Sequence, residues 1–176
     1  MSRPFDRQPA EERFRSVFCH LGAVTAYARR RGSRDADGIA AEVMTIAWRR
    51  LADVPRDDAR PWLYAAARNL LFAEGRRRGR TSGEAATPEP LVPAPEVGEL
   101  DAELRKALLS LAPLDREALL LVAWEDLTPT QAARALGINP TAFRVRLLRA
   151  RRRLRARLDA DGCPLVPTTQ LDVEGT

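Results

Sequence analysis

The stretch that most constrains this chain is residues 127–158, LTPTQAARALGINPTAFRVRLLRARRRLRARL. Phe143, Leu147, Ala150 and Leu154 recur within it at steps of four, three and four, which traces one apolar stripe of a helix at about 100° per residue. With that stripe facing inward, Thr141, Val145, Leu148 and Arg152 lie on the opposite face, and Arg144 and Arg149 flank it. The second helix so presents a small uncharged tip between two guanidinium groups, a shape suited to the floor and walls of a DNA major groove. Ahead of it, Ala132, Ala133 and Leu136 are small enough for two helix axes to approach closely. Gly137 offers a left-handed turn residue, and Asn139-Pro140 reads as a cap followed by a first-turn proline. An ordinary hairpin with a solvated charged face is the alternative. Small contact residues, turn glycine, cap and basic face in this order favour a helix-turn-helix.

At 176 residues the chain holds one medium domain or two small ones. Its net charge is +5, and Lys106 is the one lysine among 29 basic residues. Guanidinium forks bind phosphate and guanine edges bidentately, so the imbalance suits nucleic acid, although a GC-rich genome also favours arginine codons. The cysteines, Cys19 and Cys163, match neither a CxxC pair nor a disulfide framework, and Cys19 is expected to be buried. One histidine, no phosphate-cradling glycine loop and no ligand cluster leave little from which to build an active site, so neither metal nor cofactor is expected. No apolar run approaches the roughly 18 residues of a membrane span, and the first residues lack a signal-peptide core. The expectation is a cytoplasmic protein without membrane insertion.

Taken in order, Phe14, Val17, Phe18, Leu21, Val24 and Ala28 predict a first amphipathic helix over 11–30, ended by Gly32. A second is expected over 38–51, started by the acidic turn at Asp35 and Asp37. Ile39, Val43 and Ile46 trace one line along it, while Glu42, Thr45 and Arg49 trace another toward solvent or a partner. The charged loop 52–60, which holds Asp57 and Asp58, precedes a third helix opened by Pro61. Leu63, Ala66, Ala67 and Leu70 are expected to face the other helices. On another face Trp62, Ala65, Asn69, Phe72 and Arg76 line up as a polar, aromatic and basic row. Single-stranded nucleic acid needs such groups: ring surface for stacking, an amide for base edges and charge for phosphate. Equally, Trp62 and Phe72 could belong to the core with Asn69 merely exposed.

Residues 81–103 carry no arginine or lysine, six carboxylates and four prolines between Pro88 and Pro95, the composition of a linker. Beyond it, helix is expected from about residue 100, with a break at Pro113, and Leu119, Leu120, Val122 and Ala123 supporting the hairpin. The prediction is an all-α protein of two small helical domains on a flexible linker: 1–80, linker 81–99, 100–158, and a loose tail 159–176.

This order resembles the extracytoplasmic-function group of bacterial RNA polymerase sigma factors over about residues 14–158. The helix DADGIAAEVMTIAWRRL looks like the family's core-binding segment, PWLYAAARNLLFAEGRRR like its minus-10 segment, and LTPTQAARALGINPTAFRVRLLRARRRL like its minus-35 segment. The resemblance implies a promoter-specificity subunit rather than an enzyme. Glu42, Thr45 and Arg49 would dock on the clamp helices of the polymerase's largest subunit. Gly38, Ala41 and Ile46 depart from the family's usual acidic, glutamine and charged residues. Loop 52–60, with Asp57 and Asp58, would form a pocket for a flipped base, and Asn69, Phe72 and Arg76 would meet the melted minus-10 strand. Trp62 matches a structural tryptophan. Thr141, Arg144, Val145, Leu148 and Arg149 would read the duplex minus-35 element, with Arg146, Arg151, Arg152 and Arg153 toward phosphates. An anti-sigma factor is the family's usual regulatory partner. Two rivals are a free-standing repressor or activator using the same hairpin, and a helical adaptor that binds only protein.

Overall fold

Eight helices and no strand make up the described residues, 7–81 and 102–160 of this computed structural model. The all-α expectation holds. The helix expected over 11–30 is two, α1 (Arg7–Phe18) and α2 (Leu21–Arg30). Between them the His20 amide donates to the Val17 carbonyl at 3.1 Å, and the Cys19 thiol donates to the Ser16 carbonyl at 2.9 Å. The backbone bond spans three residues, tighter than the α-helical four, where α1 gives way to α2. Val17, Val24 and Ala28 are buried as expected, but Phe18 is 46% exposed and Cys19 lies at the surface.

Helix α3 (Ala36–Arg49) starts where the Asp35 carboxylate accepts from the Gly38 amide at 2.9 Å. A Cβ at position 38 would stand 2.1 Å from Asp35 Oδ2, so a side chain there would require the Asp35 carboxylate to turn from its present position. Ile39, Ala40, Val43, Met44 and Ala47 bury the inner face of α3 against α2 and α4. Helix α4 (Arg60–Thr81) carries Pro61 in its first turn and buries Leu63, Tyr64, Ala67 and Leu71.

Helix α5 (Ala102–Leu109) begins the second half, and Pro113 opens α6 (Pro113–Ala123). The face of α6 that supports the hairpin is Ala118, Leu119, Leu120 and Leu121. Ala123, expected to point inward, is exposed because the helix ends there. Helices α7 (Pro129–Leu136) and α8 (Pro140–Ala160) complete the fold; α8 runs through the first two residues of the expected tail. Residues 82–99 of the expected linker, 100–101 of the expected second domain and 161–176 of the tail lie outside the described residues.

The two halves meet through α4 against α7 and through a buried polar cluster between α2 and α6. The Tyr27 hydroxyl donates to Glu117 Oε1 at 2.9 Å, and the Arg31 guanidinium donates to both Glu117 oxygens and to Glu125 Oε1. Arg30 pairs with the other Glu125 oxygen. Arg31 also lies over the Tyr27 ring, 3.5 Å from its centroid, and Tyr27 stacks on Tyr64 of α4. Arg31, Glu117 and Glu125 are all buried. Burial pushes the Tyr27 phenol well above its ordinary value, the neighbouring Arg31 opposes the shift, and Glu117 adds to it, so the phenol stays a donor at neutral pH. For Arg31, burial disfavours the charge, but Glu117 with Tyr27 and Glu125 outweighs it and holds the guanidinium firmly protonated. Two cations and two anions balance here, which is how buried charge is tolerated.

Candidate nucleic-acid interface

Thr128 and Gln131 set the start of α7. The Thr128 hydroxyl accepts from the Gln131 amide while the Gln131 side chain reaches back to the Thr128 amide, a reciprocal cap that the sequence carries as T-x-x-Q. At the other end Gly137 takes φ +66°, and the Ile138 amide donates to the Ala133 carbonyl at 3.0 Å. An L side chain rarely adopts that backbone, so the glycine makes the turn. Asn139 Oδ1 then accepts from the Thr141 amide at 2.8 Å and starts α8. Ala132 and Ala133 are fully buried and let α7 approach α8, whose Phe143, Leu147 and Ala150 fill the space beneath.

With that stripe inward, Thr141, Arg144, Val145, Leu148 and Arg149 are all exposed. Val145 and Leu148 are 43% and 51% accessible, apolar side chains left on the surface between guanidinium groups. Arg151 and Arg152 are exposed as well. Arg146 and Arg153 have a partner that the sequence reading missed: both donate to Asp115 of α6, Arg146 at 2.9 Å. Asp115 is 5% accessible at its side chain and holds the two arginines on one side of α8. Its signal in the sequence is only an acidic residue in the first turn of α6, two positions beyond Pro113.

Replacing Asp115 with asparagine is expected to release Arg146 and Arg153 toward phosphate. The dependence of log affinity on log salt for duplex DNA should then steepen by up to about 2 units. An unchanged slope would mean that the two arginines stay away from DNA whatever Asp115 does.

On α4, Asn69 and Arg76 are exposed, and Phe72 is half-buried with the Arg68 guanidinium 4.5 Å from its ring centroid. Trp62 packs against the core, as its structural reading requires. The loop before α4 is anchored by Val54, which is buried and whose carbonyl accepts from Arg13. Asp58 accepts from the Arg60 amide and from Gln131 of α7, and Asp57 stands 3.9 Å from Arg134. On α3, Glu42, Thr45 and Arg49 are exposed on one face. Next to them Phe14, Phe18 and Trp48 form an aromatic cluster, with Phe14 edge-on to Trp48 at 5.1 Å, and both Phe18 and Trp48 are 46% exposed. Residues 14 and 18 read as core positions from their periodicity; Phe14 is partly buried against the core, whereas Phe18 stands outside it. No group of metal ligands occurs among the described residues, and none of their helices is long and apolar enough to cross a membrane.

The described residues form an all-helical fold with a helix-turn-helix whose outer face carries exposed arginines. The sigma-70, region 4 family matches residues 101–154, from α5 through most of α8. A probable RNA polymerase sigma factor, RfaY, of Xanthomonas campestris pv. campestris is 36% identical over 136 residues, covering 69% of this chain and 34% of that protein. The chain therefore spans about a third of the length of this curated relative. Among solved structures, the sigma factor RpoE bound to the anti-sigma factor NepR from Bartonella quintana matches with a TM-score of 0.61 and 24% identity, over 84% of this chain and 96% of that one. CnrH in complex with the cytosolic domain of CnrY matches at 0.60 with 25% identity, over 89% and 99%. Residues 101–154 thus match sigma-70 region 4, and the chain is similar to an RNA polymerase sigma factor over 69% of its length.

Proposed function

We propose that this chain directs core RNA polymerase to particular promoters and assists their melting. One observation carries the reading: the outward face of α8 exposes Val145 and Leu148 between Arg144 and Arg149, on the second helix of a helix-turn-helix. Surface methyl groups suit thymine methyls and the guanidinium groups suit guanine edges, as duplex minus-35 recognition needs. Residues 100–158 act as the duplex-binding unit and 1–80 as the unit for core polymerase and the melted strand. On the latter, exposed Asn69 and Arg76 with Phe72 would hold the minus-10 strand, and the loop with Asp57 and Asp58 would receive an extruded base. Unpairing a few base steps costs a few kcal/mol, offset when the freed base stacks and hydrogen-bonds in a protein pocket.

Docking on the clamp helices of the largest subunit falls to Glu42, Thr45 and Arg49. Exposed Phe18 and Trp48 beside them, both in contact with the Phe14 ring, add an apolar anchor to that face. RNA synthesis belongs to the polymerase, and no covalent step falls to this chain. RpoE and CnrH were each solved with a protein partner, NepR and CnrY, and a partner of the anti-sigma kind fits this chain by the same likeness.

The test is transcription from a promoter library with core enzyme, with and without this chain. New start sites that share an upstream motif are expected, and their absence overturns the reading. Asn69→Ala should reduce permanganate reactivity of the melted region while leaving minus-35 affinity intact; wild-type reactivity would remove Asn69 from the strand contacts. A free-standing repressor would instead bind its operator tightly without polymerase, which a gel shift with and without core enzyme distinguishes.

A further inference from the structure

The outward face of α8 is apolar at its centre and cationic around it. From Arg144 to Arg155 every exposed residue other than Val145 and Leu148 is arginine. Phosphate binding accounts for guanidinium groups but not for these two side chains, which stand 43% and 51% exposed. Rotation of α8 cannot hide them. Phe143, Leu147 and Ala150 fill the core on the opposite side, and Asp115 holds Arg146 and Arg153. Three residues apart in a helix, Val145 and Leu148 share one face. Each has a guanidinium four residues away on that face, Arg144 for Leu148 and Arg149 for Val145.

In the major groove the apolar group that a base edge offers is a methyl at C5 of a pyrimidine. Thymine carries it, cytosine lacks it and 5-methylcytosine has it again. Valine and leucine form no hydrogen bond with adenine N6 or N7, guanine O6 or cytosine N4, so the methyl is what they can distinguish. Residues three apart rise about 4.5 Å along a helix, close to the roughly 3.4 Å between stacked base pairs, so the two side chains suit neighbouring positions. A guanidinium beside each of them fits a guanine next to the pyrimidine, bound through O6 and N7. A TG step presents that combination, and so does a CG step once its cytosine is methylated.

We propose that Val145 and Leu148 read the C5-methyl group itself, so that 5-methylcytosine is accepted in place of thymine and a methylated site is bound more tightly than its unmodified copy. The inference rests on the duplex-reading role of residues 100–158 and adds a regulatory input to it, the methylation state of the DNA. Pressing a methyl against either side chain removes apolar surface from water on both partners. At the usual value for one buried carbon group, each such contact changes affinity about fourfold. The surrounding arginines contribute equally to methylated and unmethylated duplexes, because phosphates are the same in both.

The full-length chain at low salt selects its preferred duplex from a random library, and that duplex is remade with single-base changes. Uracil in place of thymine at a contacted position should lower affinity about fourfold, and at two such positions about sixteenfold. At the same positions 5-methylcytosine should bind about fourfold more tightly than cytosine. Val145→Ser/Leu148→Gln alters only exposed residues and should bind thymine and uracil duplexes equally, with its affinity for a scrambled duplex unchanged. Equal affinity of the wild type for thymine and uracil duplexes overturns the proposal. So does a methyl preference that survives in the variant, which would assign the discrimination to DNA shape and leave the apolar pair to a protein contact. The uracil and 5-methylcytosine series needs only the wild-type chain and decides the matter even if the variant fails to fold. Failure of core polymerase to start RNA chains with this protein, while the methyl preference stands, overturns the promoter reading and leaves methyl reading in place.

Discussion

Phe143→Ala is expected to destabilise the helix-turn-helix half by about 3–5 kcal/mol, the usual cost of truncating a buried aromatic ring to a methyl group. The ring is fully buried on the inner stripe of α8, with Leu147 and Ala150 following it along the same face. Its neighbours cannot close the gap readily, because Ala132, Ala133 and Ala118 beside the hairpin contacts are already small and buried. Urea denaturation followed by circular dichroism would measure the loss. A loss below about 1 kcal/mol would show that the site collapses or that α8 is held chiefly by other groups, Asp115 being the foremost of them. The surface residues of α8 stay chemically unchanged, so any fall in DNA affinity of the folded variant would report on the placement of the helix.

The Arg144→Ala/Arg149→Ala variant should give the largest functional loss. Each bidentate base contact is worth about 1–3 kcal/mol, so removing both should lower affinity for the preferred duplex by about 2–6 kcal/mol, roughly thirtyfold or more. Both side chains are exposed, so the fold should be unaffected. Comparison of preferred and scrambled duplexes at one salt concentration separates the causes. A loss confined to the preferred site means base reading, whereas equal losses on both mean phosphate contacts. Full affinity for both would remove these arginines, and the groove-facing assignment of α8, from the account.

Where a feature depends on neighbours in the chain, it was legible beforehand. Gly137 at a left-handed turn, Asn139 as a cap and the stripe of Phe143, Leu147 and Ala150 appear where the residue types and spacing place them. Each obeys a rule spanning at most four residues, or a repeat of such steps. The division of 11–30 into α1 and α2 was not legible. Its apolar positions fit one continuous helix, and the turn at Cys19 and His20 carries neither proline nor glycine. The consequence shows at the surface, because Phe18 then stands exposed beside Trp48, with Phe14 bridging them to the core. Asp115 was missed for a related reason. A first-turn aspartate ordinarily serves the helix that carries it, and nothing near it in sequence indicates the arginines 31 and 38 residues away that it holds.

By itself the amino-acid order determined an all-helical chain, the helix-turn-helix near its carboxy-terminal end and the outward face of the recognition helix, since periodicity and turn chemistry are short-range properties of the backbone. Tertiary structure alone decided that Arg31 meets Glu117 and Glu125, residues 86 and 94 positions away, and that α7 covers the loop at Asp57 and Asp58. A charged side chain looks the same in sequence whether it faces water or an opposite charge. Only the packing of distant helices removes the water and makes that choice.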